Sequence, residues 1–174
     1  MSPELKKDEQ TVTPEGAPVK AGIEGVRMRR LITHEDERGE ICEIFHFDWG
    51  VSDKPLVYVY QTVVRPGKVK GWIVHRNQDD RIFASLGVMQ WALYDDRSDS
   101  PTYKRLQVFS VGERSRTLFV IPRGVFHAVK NIGRTDAYFV NMPTAPYKHT
   151  DPDKYRLPLE NDMIPFSFEE TGGW

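Results

Sequence analysis

From residue 23 onward, the chain is a succession of short segments rich in β-branched and aromatic residues, with Gly, Pro, Asp or Ser at nearly every boundary. Such runs, spaced at about 8–12 residues, predict the strands of a β-sandwich or barrel. No long segment repeats its apolar residues with the helical period of about 3.6, so only residues 151–160 and the end of the N-terminal tail are candidates for a short helix. The predicted strands are 40–47, 56–64, 71–76, 81–86, 88–95, 104–111, 117–121, 124–131 and 136–142.

The predicted strands form one all-β domain, residues 23–174, preceded by a tail at residues 1–22. The tail is polar, rich in Pro, Lys, Glu and Thr, and has no repeating apolar face, so it is predicted to be disordered or loosely attached. A chain of 174 residues, 39% of them hydrophobic, is long enough for a single core. Large aromatic residues in the strands favour a filled barrel interior or a small-molecule pocket: Trp72, Phe83, Trp91 and Phe119.

Charge and hydropathy exclude several classes of protein. The 24 basic and 25 acidic residues give a net charge of −1, which provides no basic face for nucleic acid or an anionic membrane. The apolar stretches are far shorter than the ~20 residues needed to cross a bilayer, and the first residues have no apolar signal-peptide region. The single cysteine, Cys42, excludes an internal disulfide and a multi-cysteine zinc site. We therefore expect a cytoplasmic protein with no nucleic-acid or membrane partner.

Residues 122–131 (PRGVFHAVKN) contain the sharpest local pattern, P-x-G-x-x-H-x-x-x-N, which resembles the second motif of the cupin barrels. Pro122 and Gly124 turn the chain into a strand, and His127 follows three residues past the glycine, at a fixed point inside the barrel. The alternative for His127 is a buried histidine that is hydrogen-bonded to the backbone.

Residues 71–81 (GWIVHRNQDDR) correspond to the first cupin motif, which supplies two histidines and an acidic residue. Here His75 is the only histidine, Asn77 is a poor replacement ligand, and Asp80 could contribute only if the loop geometry allowed it. A metal site needs three or four converging nitrogen or oxygen donors. Two imidazoles therefore predict no functional metal, and no cofactor is expected.

Six blocks of the chain, in order over roughly residues 30–168, match the motifs of one family. They are 36–45 (DERGEICEIF, similar to D-x-R-G-x-F-x-E-x-F), 69–75 (VKGWIVH, similar to R-G-L-H), 94–103 (YDDRSDSPTY, similar to D-x-R-x-x-S-P-T-F), 121–127 (IPRGVFH, similar to I-P-x-G-x-x-H), Tyr147, and 161–165 (NDMIP). Together they resemble the cupin-fold nucleotide-sugar epimerases typified by dTDP-4-dehydrorhamnose 3,5-epimerase.

The resemblance implies a cupin-type double-stranded β-helix, that is, a jelly-roll barrel, and a homodimer. It also implies proton chemistry next to a ketone, without a metal or redox cofactor. Family members remove a proton beside the 4-keto group of a nucleotide-linked sugar and return it on the opposite face. Histidine, with a pKa of about 6.5, suits the base, and tyrosine, with a pKa of about 10, stays protonated as the acid.

The resemblance also assigns roles to individual residues. His75 is the candidate base, Asp162 the partner that holds it, Tyr147 the candidate acid, and His127 a further imidazole of the pocket. For Tyr147 the alternative is a surface aromatic residue after a proline.

The candidate contacts to the substrate or nucleotide are Arg38, Glu43, Gln61, Lys70 and Arg81. Arg81 is near the family's strand lysine, where a cation would stabilise an enolate or a phosphate. The alternatives are a solvated loop charge for Arg38 and an ion pair with Asp79 or Asp80 for Arg81.

One departure from the family concerns the base itself. The family's histidine stands two residues after the glycine, where this chain has Ile73, and His75 comes two residues later. In a strand these two positions share a face and lie about 6.6 Å apart. Lys70 and Ala128 also replace an arginine and a glycine of the motifs.

Two explanations of this departure stay open. Either a bulge restores the geometry, or the base has been lost, which would leave a nucleotide-sugar binder or an enzyme for another keto-sugar reaction that uses His75 or His127. The rival functions are a metal-dependent cupin enzyme and a degenerate, non-catalytic sugar or nucleotide sensor.

Overall fold

The computed structural model describes residues 7–15, 19 and 22–168; the tail prediction, residues 1–22, and the helix predicted at its end fall partly outside them. The described residues contain twelve strands and two single-turn 3₁₀ helices, Phe47–Trp49 and Glu113–Ser115, and no helix among them has the length and hydropathy to span a membrane. The strands are β1 (Arg27–Arg30), β2 (Thr33–Asp36), β3 (Gly39–Cys42), β4 (Tyr60–Val64), β5 (Val69–Val74), β6 (Asp80–Leu86), β7 (Val88–Asp95), β8 (Leu106–Gly112), β9 (Thr117–Ile121), β10 (Val125–Asn131), β11 (Ala137–Asn141) and β12 (Tyr155–Arg156).

Ten of these strands form two five-stranded sheets, in the orders β1-β9-β6-β11-β4 and β12-β5-β10-β7-β8. Every pair of neighbouring strands is antiparallel, and β2 and β3 form a separate hairpin. Strands that are distant along the chain, such as β5 and β10, lie side by side, which is the connectivity of a jelly roll. The predicted all-β, cupin-type barrel is confirmed.

The helix predicted within residues 151–160 is wrong, because this segment adds the short strand β12 to the edge of the second sheet. Tyr155 pairs with Val74, and the Leu157 N–H donates to the Trp72 carbonyl at 3.1 Å. Pro158 disfavours helical backbone at the residue before it and has no N–H of its own, so the segment stays extended.

Aromatic and aliphatic side chains from both sheets pack together in the core between them. The Trp91 ring meets Phe119 and Phe139 edge-on, with centroids 5.1 and 5.2 Å apart. Aliphatic residues of both sheets complete this core, among them Ile82, Met89, Leu93, Ile121, Val125 and Val129. Toward one end of the barrel this packing gives way to the cavity described below.

The outer face of the second sheet is covered by the C-terminal segment. Ile164 and Phe168 pack against Trp72, which is 1% exposed. Because successive residues of a strand point to opposite faces, Trp72 faces outward and Ile73 faces into the barrel. This alternation decides which residues of β5 reach the interior.

Candidate functional site

A cavity of about 270 Å³ opens between the two sheets. Its apolar part is formed by Ile73, Ile82, Trp91, Val129 and Phe139, and its polar part by Tyr60, Thr62, Lys70, His75, Asp80, His127, Asn141, Lys154 and Arg156. Small-molecule sites usually measure ~300–1,000 Å³, so this space suits about one sugar ring.

Three buried side chains, His75, Asp80 and His127, meet in the polar part of the cavity. The Nε2 atoms of His75 and His127 lie 3.3 and 3.6 Å from the same carboxylate oxygen, Oδ2 of Asp80. The second oxygen, Oδ1, accepts a hydrogen bond from Gln78 Nε2 at 3.1 Å. One carboxylate therefore serves both imidazoles, and we call these three residues the His–Asp–His group.

Backbone carbonyls fix the orientation of both rings. His75 Nδ1 contacts the Asp153 carbonyl oxygen, and His127 Nδ1 lies 3.2 Å from the Val125 carbonyl oxygen. A carbonyl can only accept, so each Nδ1 carries the hydrogen and each Nε2 is directed at Asp80. A neutral ring would then point its Nε2 lone pair at the Asp80 carboxylate, which repels it. A proton on Nε2 is therefore favoured most for His75, whose Nε2 is the nearer of the two to Asp80.

Burial and charge separate the two histidines. Burial lowers the pKa of His75, but the hydrogen bond and the charge of Asp80 outweigh it, so the pKa of His75 lies above its ordinary value. Burial lowers the pKa of His127 to about 4, against a partial offset from Asp80. Burial raises the pKa of Asp80, but its two histidine neighbours bring it below its ordinary value. At neutral pH the site therefore combines a carboxylate and a neutral His127 with a His75 whose affinity for a proton is increased by Asp80.

Two tyrosines belong to this end of the barrel. The Tyr60 hydroxyl accepts a hydrogen bond from Asn141 Nδ2 at 2.8 Å, and burial together with the nearby Asp80 raises the pKa of Tyr60 to about 12. Tyr147 lines a small adjoining pocket with Tyr60 and His75, so the structure brings this predicted acid close to the predicted base.

The bulge considered for β5 is present. His127 pairs with Ile73 and Val129 pairs with Lys70, so two residues of β10 span three of β5. Gly71 has φ +145°, and a Cβ at this position would lie 2.3 Å from the Ala128 Cβ, so only glycine fits there. The bulge precedes Ile73 and leaves it opposite His127, so His75 lies two residues later, directly after the end of β5.

Two roles implied by the resemblance are corrected by the structure. The Arg81 side chain is fully buried outside the cavity and donates to the carbonyls of Lys54, Pro55, Met142 and Pro143 at 2.6–3.1 Å, so it pairs with neither a substrate nor Asp80. Asp162 is exposed on the C-terminal segment that covers the outer face of the second sheet. Asp80, not Asp162, therefore holds the candidate base.

Three further candidates lie on the surface, away from the cavity. Arg38 is in the β2–β3 hairpin, where it pairs with Asp36 and its side chain is 82% exposed. Glu43 is exposed beyond β3, and Gln61 is exposed on the face of β4 opposite to Tyr60 and Thr62. Their role as nucleotide contacts stays a prediction, whereas Lys70 does line the cavity.

Sequence reasoning missed Lys154 and Arg156, which line the cavity beside Lys70. Their location depends on β12, which the sequence pattern did not reveal. It also missed Tyr60 and Asn141 as polar lining, although the alternation of the strand 56–64 could have placed Tyr60 and Thr62 on one face.

The His–Asp–His group is also the place where a metal ion could be held. Its donor atoms lie within 4.8 Å of one another. Asp80 supplies the third donor that the sequence left dependent on geometry, and it follows His75 by five residues. Backbone carbonyls behind both imidazoles would suit a metal site as well as a proton-transfer site.

Known proteins with similar sequences decide the family, although no family model matches the chain. The chain is 34% identical to the probable low-salt glycan biosynthesis epimerase Agl13 of Haloferax volcanii. The similarity extends over 139 residues, which are 79% of this chain and 89% of that protein. It is 32% identical over 146 residues to the spore coat polysaccharide biosynthesis protein SpsL of Bacillus subtilis, covering 84% and 96%. The chain belongs to the cupin-fold family of nucleotide-sugar epimerases.

A solved structure shows the same architecture. The dTDP sugar isomerase of Desulfovibrio desulfuricans superimposes with a TM-score of 0.80 at 26% identity, over 86% of this chain and 94% of that one. The family predicted from the six sequence blocks is thereby confirmed.

Proposed function

We propose that this protein is an epimerase or isomerase of a 4-keto sugar linked to a nucleotide such as dTDP, and that it acts by removing a carbon-bound proton beside the ketone. The observation that carries the proposal is the His–Asp–His group in a cavity of about one sugar's size, with cationic side chains also lining it. A ring in the cavity would meet the imidazoles, while its diphosphate would meet Lys70 and Arg156. The names of the relatives support this class of reaction.

His75 is the proposed base. Its neutral form can accept a proton at Nε2, and Asp80 then stabilises the imidazolium at 3.3 Å. His127 is the second candidate, but burial holds the pKa of His127 at about 4, which makes it a weak proton acceptor. It fits a supporting role beside the same carboxylate.

Tyr147 is the proposed acid that returns the proton to the opposite face. Tyr147 lines the adjoining pocket together with His75 and Tyr60. The pKa of Tyr60 is raised to about 12, so the Tyr60 phenol stays protonated. Base and acid on two sides of one carbon would invert that carbon, because proton removal and return then use different faces.

The test is deuterium uptake from D2O into a 4-keto nucleotide sugar, followed by NMR. Loss of a general base typically costs ~10²–10⁴ in rate, so His75→Ala should abolish visible exchange, while His46→Ala, outside the cavity, should not. Tyr147→Phe should keep exchange and lose inversion, with Tyr103→Phe as the matched control. Wild-type protein that binds dTDP but exchanges no tested carbon would contradict the enzymatic function and favour a non-catalytic binder.

The convergence of three donors favours a second candidate, a metal-dependent cupin enzyme, at the same site. Elemental analysis of the purified protein separates the two. We expect no stoichiometric metal and full activity after treatment with EDTA. A tightly held divalent ion whose removal abolishes turnover would decide for the metal enzyme.

We also propose a homodimer in the cytoplasm. Exposed apolar side chains on and before the edge strand β4, namely Leu56, Val57, Val59 and Val63, offer a surface that a second copy could cover. Light scattering after size exclusion should give twice the monomer mass of 20.1 kDa, and a monomer at micromolar concentration would contradict it.

A further inference from the structure

Three cations, Lys70, Lys154 and Arg156, line the same cavity. No ion pair or side-chain hydrogen bond holds any of them within residues 7–15, 19 and 22–168. Like charges at close range repel one another, and the pKa of Lys154 is lowered by burial, then by Arg156 and Lys70, against a partial offset from Asp80. Such an arrangement is stabilised when negative charge enters the cavity.

Lys154 differs from the other two cations in depth. Lys70 and Arg156 are exposed, whereas Lys154 is half-buried. Only Lys154 of the three lines both the main cavity and the adjoining pocket that contains His75 and Tyr147. It therefore lies where the proposed base and the proposed acid approach each other.

The backbone holds Lys154 in this place. Tyr155 pairs with Val74 and Arg156 with Ile73, so continuing this register sets Lys154 opposite His75. The preceding residue, Asp153, contacts His75 Nδ1 through its carbonyl. The Asp153 carboxylate accepts the backbone N–H groups of Arg76 and Asn77 at 2.9 and 2.7 Å. The same residue thus ties the base and the strand of Lys154 together.

We infer that Lys154 is the catalytic cation that stabilises the enolate oxygen during proton abstraction, the role that the resemblance had implied for Arg81. The inference rests on the proposed function. When the base takes the proton, the C–H electron pair forms a carbon–carbon double bond and the carbonyl π pair moves onto oxygen. The Lys154 ammonium donates a hydrogen bond to that oxygen and keeps its own protons, and the electrons return when the carbon is reprotonated.

Arg81 is unable to take this role because its guanidinium donates to four backbone carbonyls outside the cavity. Lys70 and Arg156, being exposed, suit the diphosphate instead. A donor aimed at a developing oxyanion in a water-poor site is worth ~10²–10³ in rate. The Asp80 carboxylate contacts the two histidines and forms no ion pair with Lys154. The Lys154 ammonium can therefore donate to the substrate.

The experiment compares Lys154→Met with Lys68→Met, which removes the same charge at an exposed turn outside the cavity. Deuterium exchange into a 4-keto dTDP sugar is measured at saturating substrate, and the Kd for dTDP is measured by calorimetry. We expect Lys154→Met to slow exchange by ~10²–10³ while the Kd changes far less, Lys154→Arg to recover part of the rate, and Lys68→Met to change neither quantity.

Three outcomes would overturn the assignment. Unchanged exchange in Lys154→Met, with active wild type, refutes Lys154 alone. A loss of dTDP affinity as large as the loss of exchange makes Lys154 a phosphate contact. Absence of exchange in the wild type refutes the proposed function, and the assignment falls with it. Thermal unfolding of Lys154→Met and of a second variant, Lys154→Gln, separates a lost cation from a lost fold.

Discussion

Replacing Asp80 by asparagine perturbs both imidazoles of the site at once, because a single carboxylate oxygen lies 3.3 Å from His75 Nε2 and 3.6 Å from His127 Nε2. Asparagine keeps the shape of the side chain and an oxygen that can accept from Gln78. It removes the negative charge and replaces the oxygen that faces both imidazoles by an NH2 donor. Both changes disfavour the imidazolium, so the variant tests the support that Asp80 gives to the proposed base.

The direction of the effect follows from the two influences on His75. Burial disfavours the imidazolium and is the largest influence, and Asp80, with a smaller contribution from Asp153, brings the pKa of His75 above its ordinary value. Without the carboxylate, burial is unopposed by that charge and the pKa of His75 should fall below about 6.5. Each unit by which the pKa of His75 falls is a tenfold loss of its proton affinity. The loss of exchange rate should not exceed the whole contribution of a general base, ~10²–10⁴.

The assay is deuterium exchange into the 4-keto sugar between pH 5 and pH 9. Exchange requires neutral His75, so it is lost as the pH falls through the pKa of that residue. The wild-type acid limb should lie above about pH 6.5, and the Asp80→Asn limb should lie below it, with a plateau about tenfold or more lower.

Asp79→Asn is the matched control for this prediction. It removes the same charge one residue away, where the Asp79 carboxylate accepts the Arg123 N–H at 2.9 Å outside the cavity. It should leave the acid limb in place. An acid limb that does not move in Asp80→Asn would show that His75 is not the group whose protonation stops exchange, and the reasoning would fail.

Three further predictions concern stability. The pKa of His127 is about 4 in the folded protein and about 6.5 in the unfolded chain, so the wild type should lose stability as the pH falls from about 6.5 to about 4. In urea unfolding, His127→Gln should show a weaker dependence of the unfolding free energy on pH. An equal dependence in both proteins would contradict this. Arg81→Met leaves four carbonyls without their buried donor and should cost ~2–4 kcal/mol in chemical denaturation; a loss below ~1 kcal/mol would refute the structural role. Gly71→Ala places a Cβ 2.3 Å from the Ala128 Cβ and should lower stability by ~1–3 kcal/mol, whereas an unchanged Tm would contradict this packing.

The central strands were predictable because their side chains carry the signal. The predicted segments 88–95 and 117–121 coincide with β7 and β9, whose residues are almost all buried. Strands β1 and β12 were missed for the opposite reason: their residues are exposed, and the apolar alternation that marks a strand is absent. They are strands because a neighbouring edge accepts their hydrogen bonds, which is a tertiary cause.

The residues of the candidate site also divide into those that a local pattern predicts and those that only tertiary contacts place. His75 and His127 follow from local spacing after a glycine, which places His75 directly after β5 and His127 within β10. Lys154 reaches the cavity through the pairing of β12 with β5, a contact between residues about 80 positions apart that no local pattern contains. Asp162 was misplaced for the same reason, since its segment packs on the outer face of the sheet rather than against the cavity.

Asp80 and Arg81 show that an error of one residue in a strand changes which side chain is predicted to reach the cavity. Both follow His75 closely in the sequence, and the family motif drew attention to a cation at this point of the strand. In β6, Asp80 pairs with Ile121 and Arg81 with Val120, so the two side chains leave opposite faces of the sheet. An offset of one residue exchanges the two faces completely. The cavity therefore receives a carboxylate where a cation was predicted, and the cation that proton abstraction requires has to come from another strand, as Lys154 on the approach to β12 would supply it.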